Sequence, residues 1–160
     1  MKYFTMDELV RSDTASERGI DNTPTPEHLQ HLIDTVDNLA DPLRERWAEI
    51  CAQEQLGTPA IRVSSGYRSA ALNKAVGGSS TSAHSNGYAL DLVPLNGEIR
   101  RFKEVCREFL QGRMFDQMIS EDEDAYGTPQ WIHVGYKNGQ GYQRRQFLTM
   151  RGGAYITMTA

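Results

Sequence analysis

The sequence predicts one domain that combines helices with a small β-sheet. Apolar residues recur at helical spacing in residues 29–39 and 98–110, whereas residues 59–65 alternate as a strand does. Residues 115–121 and 130–136 are two further strand-like runs, separated by an acidic, turn-rich segment, which favours a hairpin. With 160 residues, the chain is long enough to bury one substantial core without disulfides or a structural metal.

Composition and charge exclude several classes of function. A net charge of -4 and a pI of about 5.6 offer no electrostatic basis for nucleic acid as a partner, and they argue against a strongly basic wall-binding module. No apolar run approaches the ~20 residues of a transmembrane helix, and the N-terminus lacks the features of a secretory signal. We therefore expect a monomer that is cytoplasmic as synthesised and has no membrane partner. Cys51 and Cys106 lie in no paired spacing and are expected to be buried free thiols.

The first 24 residues predict one short helix and an irregular segment. Thr5 is followed three residues later by Glu8, a capping-box arrangement that marks a helix start. Residues 12–24 are rich in Ser, Asp, Thr, Asn and Gly, and are therefore expected to form an irregular surface segment.

A long helix is predicted to begin with Thr25 as its cap and Pro26 in its first turn, and a second helical segment follows over residues 43–55. His28 and His31 are close enough to share a face of the first segment. Because no third ligand lies nearby in the sequence, we interpret both histidines as packing or surface residues.

The strand at residues 59–65 leads into a turn at 66–69 and a helix at 70–76. Arg68 therefore lies where a strand ends. There it could bind a carboxylate with two hydrogen bonds or cap a neighbouring element. The Gly- and Ser-rich loop at 77–82 does not match a phosphate-binding loop, because no Gly-Lys-Ser/Thr ending precedes a helix.

His84 and Asp91 lie seven positions apart, across Gly87. An odd offset puts two side chains on opposite faces of a continuous strand, so the pair can share a site only if the chain bends between them. Gly87 can supply that bend, and the apolar run at 88–93 predicts a buried strand that holds Asp91 rigidly. Taken alone, the pair fits a metal site and a loop histidine with a capping carboxylate equally well.

The second strand of the predicted hairpin carries His133. With His84 and Asp91 it supplies two imidazoles and one carboxylate, a set that suits zinc and leaves one tetrahedral position for water. Zinc bound in this way lowers the pKa of its water toward ~7 and polarises a carbonyl, which is the chemistry of amide hydrolysis. Zn2+ is therefore the expected cofactor.

These motifs occur in a characteristic order between about residues 26 and 136: Ser65-Gly66-Tyr67-Arg68-Ser69, Asn73, Gly77-Gly78, Ser82-Xaa-His84-Xaa-Xaa-Gly87-Xaa-Ala89-Xaa-Asp91 and Trp131-Ile132-His133-Val134. The series resembles the zinc D-alanyl-D-alanine carboxypeptidase family, which includes phage and bacterial L-alanyl-D-glutamate endopeptidases and shares a fold with the signalling domain of hedgehog proteins. The resemblance implies an α+β fold, with a small antiparallel sheet carrying the zinc and helices on its other side. Together with the length of the chain, it predicts a single zinc peptidase domain over residues 1–160, of which the resemblance covers about 26–136.

Transferred position by position, the resemblance assigns roles to individual side chains. The zinc ligands that it implies are His84, Asp91 and His133. Arg68 would polarise the substrate carbonyl or hold a substrate carboxylate, and peptidoglycan stem peptides present both groups. Ser82 and Trp131 are expected to contact substrate, and Ser82 suits a turn residue equally well.

The general base is not at its usual place. Many relatives carry an acidic residue three positions before the last histidine, where this chain has Gln130, and an amide cannot take a proton from zinc-bound water. We predict Glu121 as the base, because the hairpin could bring the end of the preceding strand toward the metal. The alternatives Asp122, Glu123 and Asp124 belong to a charged run that is expected to be solvated.

The predicted function is hydrolysis of an amide bond in the peptide stem of peptidoglycan, by a phage-encoded lysin or a bacterial enzyme acting on wall fragments. The alternative is a non-catalytic, zinc-stabilised binding or structural domain of the same fold, which Gln130 keeps open. Whether the reaction is that of a carboxypeptidase or an endopeptidase is expected to depend on the loops at residues 77–83 and 122–129.

Overall fold

The computed structural model describes residues 1–159 and has an α+β fold, as predicted. The helices are α1 (Met6–Val10), α2 (Asp13–Arg18), α3 (Pro26–Thr35), α4 (Asp41–Glu54), α5 (Ala70–Ala75) and α6 (Ile99–Leu110). The strands are β1 (Ile61–Ser65), β2 (Ala89–Pro94), β3 (Gln117–Glu121), β4 (Trp131–Gly135), β5 (Gln146–Arg151) and β6 (Ala154–Thr157).

The strands form one sheet in the order β1-β2-β4-β3-β5-β6. Every neighbouring pair is antiparallel except β3 and β5, which run parallel. The predicted hairpin of β3 and β4 is confirmed, with Glu121 opposite Trp131. The sheet is larger than expected, because the segment after β4 supplies two further strands, β5 and β6.

The helices pack on one face of this sheet. The strand side chains that point toward them are fully buried in the core: Leu90, Leu92, Met118, Ile132 and Val134. Trp47 of α4 and Phe102 of α6 meet edge to face, with ring centroids 5.1 Å apart. Burial of such apolar surface stabilises the fold by about 25 cal/mol per Å². Because side chains alternate along a strand, the residues between these apolar positions, including Asp91 on β2 and His133 on β4, point to the opposite face of the sheet.

The prediction of an irregular segment at residues 12–24 was wrong in part, because α2 lies within it. The Ser12 side chain accepts a hydrogen bond from the backbone N–H of Ala15, and Gly19 ends the helix with φ 63°. Both are ordinary helix-end features. The helix was not predicted because most of its residues are polar and only Ala15 is buried.

The predicted helix cap at Thr25 is confirmed, and the chain then remains helical without a break into α4 through a π-helical turn at Val36–Ala40. Pro42 lies just after this π-helical turn. Cys51 and Cys106 are buried free thiols, as predicted. Within residues 1–159 no helix combines the length and the apolar character needed to span a bilayer.

Candidate metal centre and active site

His84 is held by a short 3-10 turn, Ala83–Asn86, that follows the glycine-rich loop. The Ser82 hydroxyl accepts a hydrogen bond from the backbone N–H of His84, so the structure gives Ser82 the role of a turn residue. The Nδ1 atom of His84 lies 2.8 Å from the carbonyl oxygen of Gly66. When Nδ1–H donates to that carbonyl, Nε2 keeps its lone pair for a metal.

Gly87 makes the predicted bend, with φ +79°. A Cβ at this position would lie 2.5 Å from the carbonyl oxygen of His28, so the turn also approaches α3 too closely for any side chain. His31 supports the same turn, because its Nδ1 lies 2.7 Å from the carbonyl oxygen of Asn86. The interpretation of His28 and His31 as packing residues is thus supported by their contacts.

Asp91 and His133 are direct cross-strand partners on β2 and β4, and they share the face of the sheet that the helices leave open. Asp91 Oδ1 lies 3.1 Å from His133 Nδ1 and 3.3 Å from His84 Nε2. One ligand atom from each of the three residues falls within 4.8 Å of the others. Two imidazole nitrogens and a carboxylate oxygen, all at buried positions, fit the ligand set that zinc prefers.

The electrostatics of Asp91 favour its ionised form. Burial alone would raise its pKa, but the electrostatic interaction with His84 and the hydrogen bonds with His133 and His84 outweigh burial and hold the pKa below its ordinary value. A carboxylate that stays ionised between two imidazoles is ready to bind a cation.

Arg68 lies at the Asp91 end of this cluster, with Nη2 3.8 Å from Asp91 Oδ2. Its guanidinium is oriented by Ser65 Oγ, 3.2 Å from Nε, and by Asn73 Oδ1, 3.2 Å from Nη1. A Cβ at Gly78 would come within 2.1 Å of Asn73 Oδ1 and 2.9 Å of Arg68 Nη1. Arg68 was expected either to bind a carboxylate or to cap a neighbouring element. Its position beside the Asp91 carboxylate favours the first of these roles.

Glu121 lies on the same open face, two residues along β3 from Ile119, the cross-strand partner of His133. Only 7% of Glu121 is exposed. Burial raises its pKa to about 7, aided by the negative charges of Asp91 and Asp122 and opposed by the positive charges of His133 and Arg68. A buried carboxyl group that interacts with a histidine and an arginine is a typical feature of an active site.

A comparison with protein families agrees with this geometry. A family model described as Peptidase M15 matches residues 2–135. The chain belongs to the peptidase M15 family. Members of this family are zinc-dependent, so this M15 peptidase is a zinc metallopeptidase, and the cluster of His84, Asp91 and His133 is the group that could hold the ion. A comparison with curated proteins found no match.

The other carboxylates considered as the base of this M15 peptidase are engaged elsewhere or exposed. Glu123 is buried, but Lys103, Ser120 and Arg151 all bond to its carboxylate, next to α6 and away from the metal cluster. Asp124 is exposed and accepts hydrogen bonds from the backbone of the loop that follows it. Asp122 is exposed as well, so Glu121 alone among the four combines burial with a place on the open face.

Asn73 had no role assigned from the sequence, and the structure of this M15 peptidase places it in contact with Arg68. Asn73 was part of the motif series. Its side-chain oxygen accepts a hydrogen bond from Arg68, and this contact depends on the position of α5 next to Arg68. Trp131, expected to contact substrate, is partly exposed and lies beside Glu121 on the open face.

Proposed function

We propose that this M15 peptidase hydrolyses an amide bond in the peptide stem of peptidoglycan, by the D-alanyl-D-alanine carboxypeptidase or the L-alanyl-D-glutamate endopeptidase reaction. The observation that carries the proposal is the arrangement around the metal cluster: a buried carboxyl group, Glu121, and an oriented guanidinium, Arg68, both interact electrostatically with Asp91. A domain that only binds needs no such pair of acid–base and cationic groups.

His84, Asp91 and His133 would hold the zinc ion. When bound, zinc supplies the Lewis acidity that activates water and polarises an amide carbonyl. The protein contributes the rigidity of the site, since two of the ligands are paired across adjacent strands and the third is hydrogen-bonded to the backbone of Gly66.

Glu121 would accept a proton from the attacking water and return it to the leaving amine. A base with a pKa of about 7 is suited to both transfers near neutral pH. The Arg68 guanidinium would donate hydrogen bonds to the carbonyl oxygen as negative charge develops there, or to a substrate carboxylate. Both side chains are largely shielded from water, which strengthens these interactions.

The proposed setting is the bacterial cell wall, where a phage-encoded lysin, cytoplasmic until released by lysis, or a bacterial enzyme acting on wall fragments would meet this substrate. Peptidoglycan stems fit the site because they offer amide bonds next to free carboxylates. The proposal therefore includes peptidoglycan stem peptides as the partner of the site.

Digestion of purified peptidoglycan by the zinc-loaded protein, followed by mass spectrometry, tests this function. Release of D-alanine identifies the carboxypeptidase reaction, and a new N-terminal D-glutamate identifies the endopeptidase reaction. Chelator-treated protein and the Glu121→Gln variant are the controls, and both are expected to release products far more slowly than the zinc-loaded wild type. If fully zinc-loaded wild-type protein creates no new amino groups, the peptidoglycan proposal fails and the non-catalytic alternative gains support.

A further inference from the structure

The C-terminal strands extend the open face of the sheet beyond the part of the chain that matches the family model. That match ends at residue 135, whereas β5 and β6 begin at Gln146 and Ala154. Because β5 pairs with β3, which carries Glu121, both C-terminal strands continue the floor of the candidate active site.

The pairing register defines a row of side chains across four strands. Trp131 is the partner of Glu121, and Tyr155 is the partner of Met150. Ser120 pairs with Thr149, so the next positions, Glu121 and Met150, lie side by side, and the backbone N–H of Glu123 donates to the Met150 carbonyl. Paired residues point to the same face of a sheet. Trp131, Glu121, Met150 and Tyr155 therefore line one row on the open face.

Two further observations concern the surroundings of Tyr155. Burial raises the pKa of its hydroxyl, and the negative charges of Glu121 and Asp91 add to the rise, in agreement with its place in the row next to Met150. At the same time 59% of Tyr155 is exposed, so its ring is available to a ligand. A large aromatic side chain that is near buried carboxylates and open to solvent is suited to contact with substrate.

The two ends of the open face differ in chemistry. At the Asp91 end lies the guanidinium of Arg68, after β1, the strand at the opposite edge of the sheet from β6. The row at the other end carries an aromatic ring and a thioether beyond Glu121. Arg151, the residue after Met150, bonds instead to Glu123 beside α6. A cationic end and an apolar end favour one orientation of a bound peptide.

We propose that Tyr155, with Met150 beside it, forms a substrate-binding wall that takes an uncharged, apolar part of the stem peptide on the Glu121 side of the metal cluster. The inference rests on the proposed function and deepens it, because it sets which end of the substrate lies over β5 and β6. Tyr155 is a binding residue in this account, and the proton transfers remain with Glu121.

Steady-state kinetics on a purified stem peptide, with the zinc-loaded full-length protein, test the wall. Tyr155→Ala is expected to raise KM about tenfold with little change in kcat, as loss of binding that is equal in the ground and transition states does. Tyr155→Phe keeps the ring and is expected to stay within about twofold of wild type. Ile156→Ala is the matched control, because Ile156 is also exposed and adjacent on β6 but points to the other face. An unchanged KM in Tyr155→Ala, or an equal rise in Ile156→Ala, overturns the inference.

A binding measurement separates this inference from the proposed function. Calorimetric titration of the same peptide into zinc-loaded Glu121→Gln protein, with and without Tyr155→Ala, is expected to show a Kd about tenfold weaker in the double variant. Failure of wild type to cleave would reject the proposed function, while this titration would still decide the role of Tyr155. If Tyr155→Ala loses stability, Tyr155→Gln keeps a long side chain on the strand and carries the same expectation. Equal Kd values reject the wall.

Discussion

Glu121 and Arg68 act on the metal cluster from different elements, and each is held by its own surroundings. The Arg68 guanidinium donates hydrogen bonds to Ser65 at the end of β1 and to Asn73 of α5, whereas Glu121 is held by the ladder between β3 and β4. The amide Gln130 donates its backbone N–H to the carbonyl of Glu121. Gln130 thus contributes to the strand pairing that positions Glu121.

Replacement of Glu121 by Gln removes the proposed base and keeps the side-chain shape. We expect kcat on a stem peptide to fall by about 10²-fold to 10⁴-fold, the usual range for loss of a general base, with full zinc content retained. The measurements are product release and metal analysis of the same sample. Asp122→Asn, one residue away and exposed, is the control and should keep wild-type kcat. A Glu121→Gln enzyme within a few fold of wild type would contradict the assignment.

At the scale of elements, the turn that carries His84 depends on Gly87. The chain there has φ +79° and approaches α3 so closely that a Cβ would contact the carbonyl oxygen of His28. Gly97 provides a matched comparison, because it has the same φ of +79° with nothing within 4 Å of its Cβ position. The two glycines differ only in the space around them.

Gly87→Ala is expected to lower the free energy of unfolding by about 3 kcal/mol or more, and Gly97→Ala by about 1 kcal/mol. Gly87→Ala introduces both backbone strain and a steric contact with α3, whereas Gly97→Ala introduces backbone strain alone. Urea unfolding measures both, and zinc titration should show weaker binding in Gly87→Ala alone. Equal losses of stability would show that the approach to α3 is not needed.

The loop after β3 is anchored by Glu123. Burial by itself would raise the pKa of this carboxyl, but hydrogen bonds from Lys103, Ser120 and Arg151 outweigh burial and lower the pKa to about 2. The anchor ties the segment between β3 and β4 to α6 and to β5. It therefore stabilises the loop that borders Glu121.

Glu123→Gln is expected to lower the free energy of unfolding at pH 7 by about 2 kcal/mol. The folded pKa lies below the unfolded value of about 4.3, so the stability that the carboxylate contributes is fully present above that value. It is lost as the pH falls toward about 2, and the variant and wild type should converge over this range. Glu108→Gln on α6, at an exposed position, is the control and should match wild type at every pH. A difference that does not depend on pH would contradict this account.

At the scale of the whole molecule, the metal cluster joins segments that are distant in sequence. His84 belongs to a turn between α5 and β2, whereas Asp91 and His133 lie on two strands whose pairing spans 42 residues. A cation bound to all three therefore links the turn to the sheet. Because unfolding separates these ligands, zinc binding is coupled to global stability.

Zinc in excess is expected to stabilise the wild-type protein by about 2.7 kcal/mol at a free concentration of 100 Kd, a rise in Tm of roughly 5–10 °C for a chain of this size. His133→Ala should abolish that rise, and a chelator should reverse it in wild type. His28→Gln is the histidine control, since His28 contacts Tyr67 outside the cluster, and it should keep the zinc response. Differential scanning calorimetry with and without zinc measures each case. A full response in His133→Ala would exclude His133 as a ligand.

Local sequence patterns predicted some elements of this fold and missed others. The caps of α1 and α3, the strand after Gly87 and the β3–β4 hairpin were all predictable, because each depends on residues a few positions apart. The α2 helix was missed because a short, exposed helix has almost no apolar periodicity. The strands β5 and β6 were missed because β5 pairs in parallel with β3, a contact that no turn in the sequence announces.

The sequence by itself determined the chemistry of the metal centre. Two histidines, an aspartate and an arginine in a characteristic order were enough to predict zinc and the peptidase family, because the types of the ligand residues indicate which metal they bind. Only the tertiary structure decided which acidic residue lies on the same face as the metal cluster and which side chains orient Arg68. It also showed that Tyr155 lies at the opposite edge of the sheet from Arg68. Those facts depend on strand order and register, which arise from burial of the whole core and cannot be read from neighbouring residues.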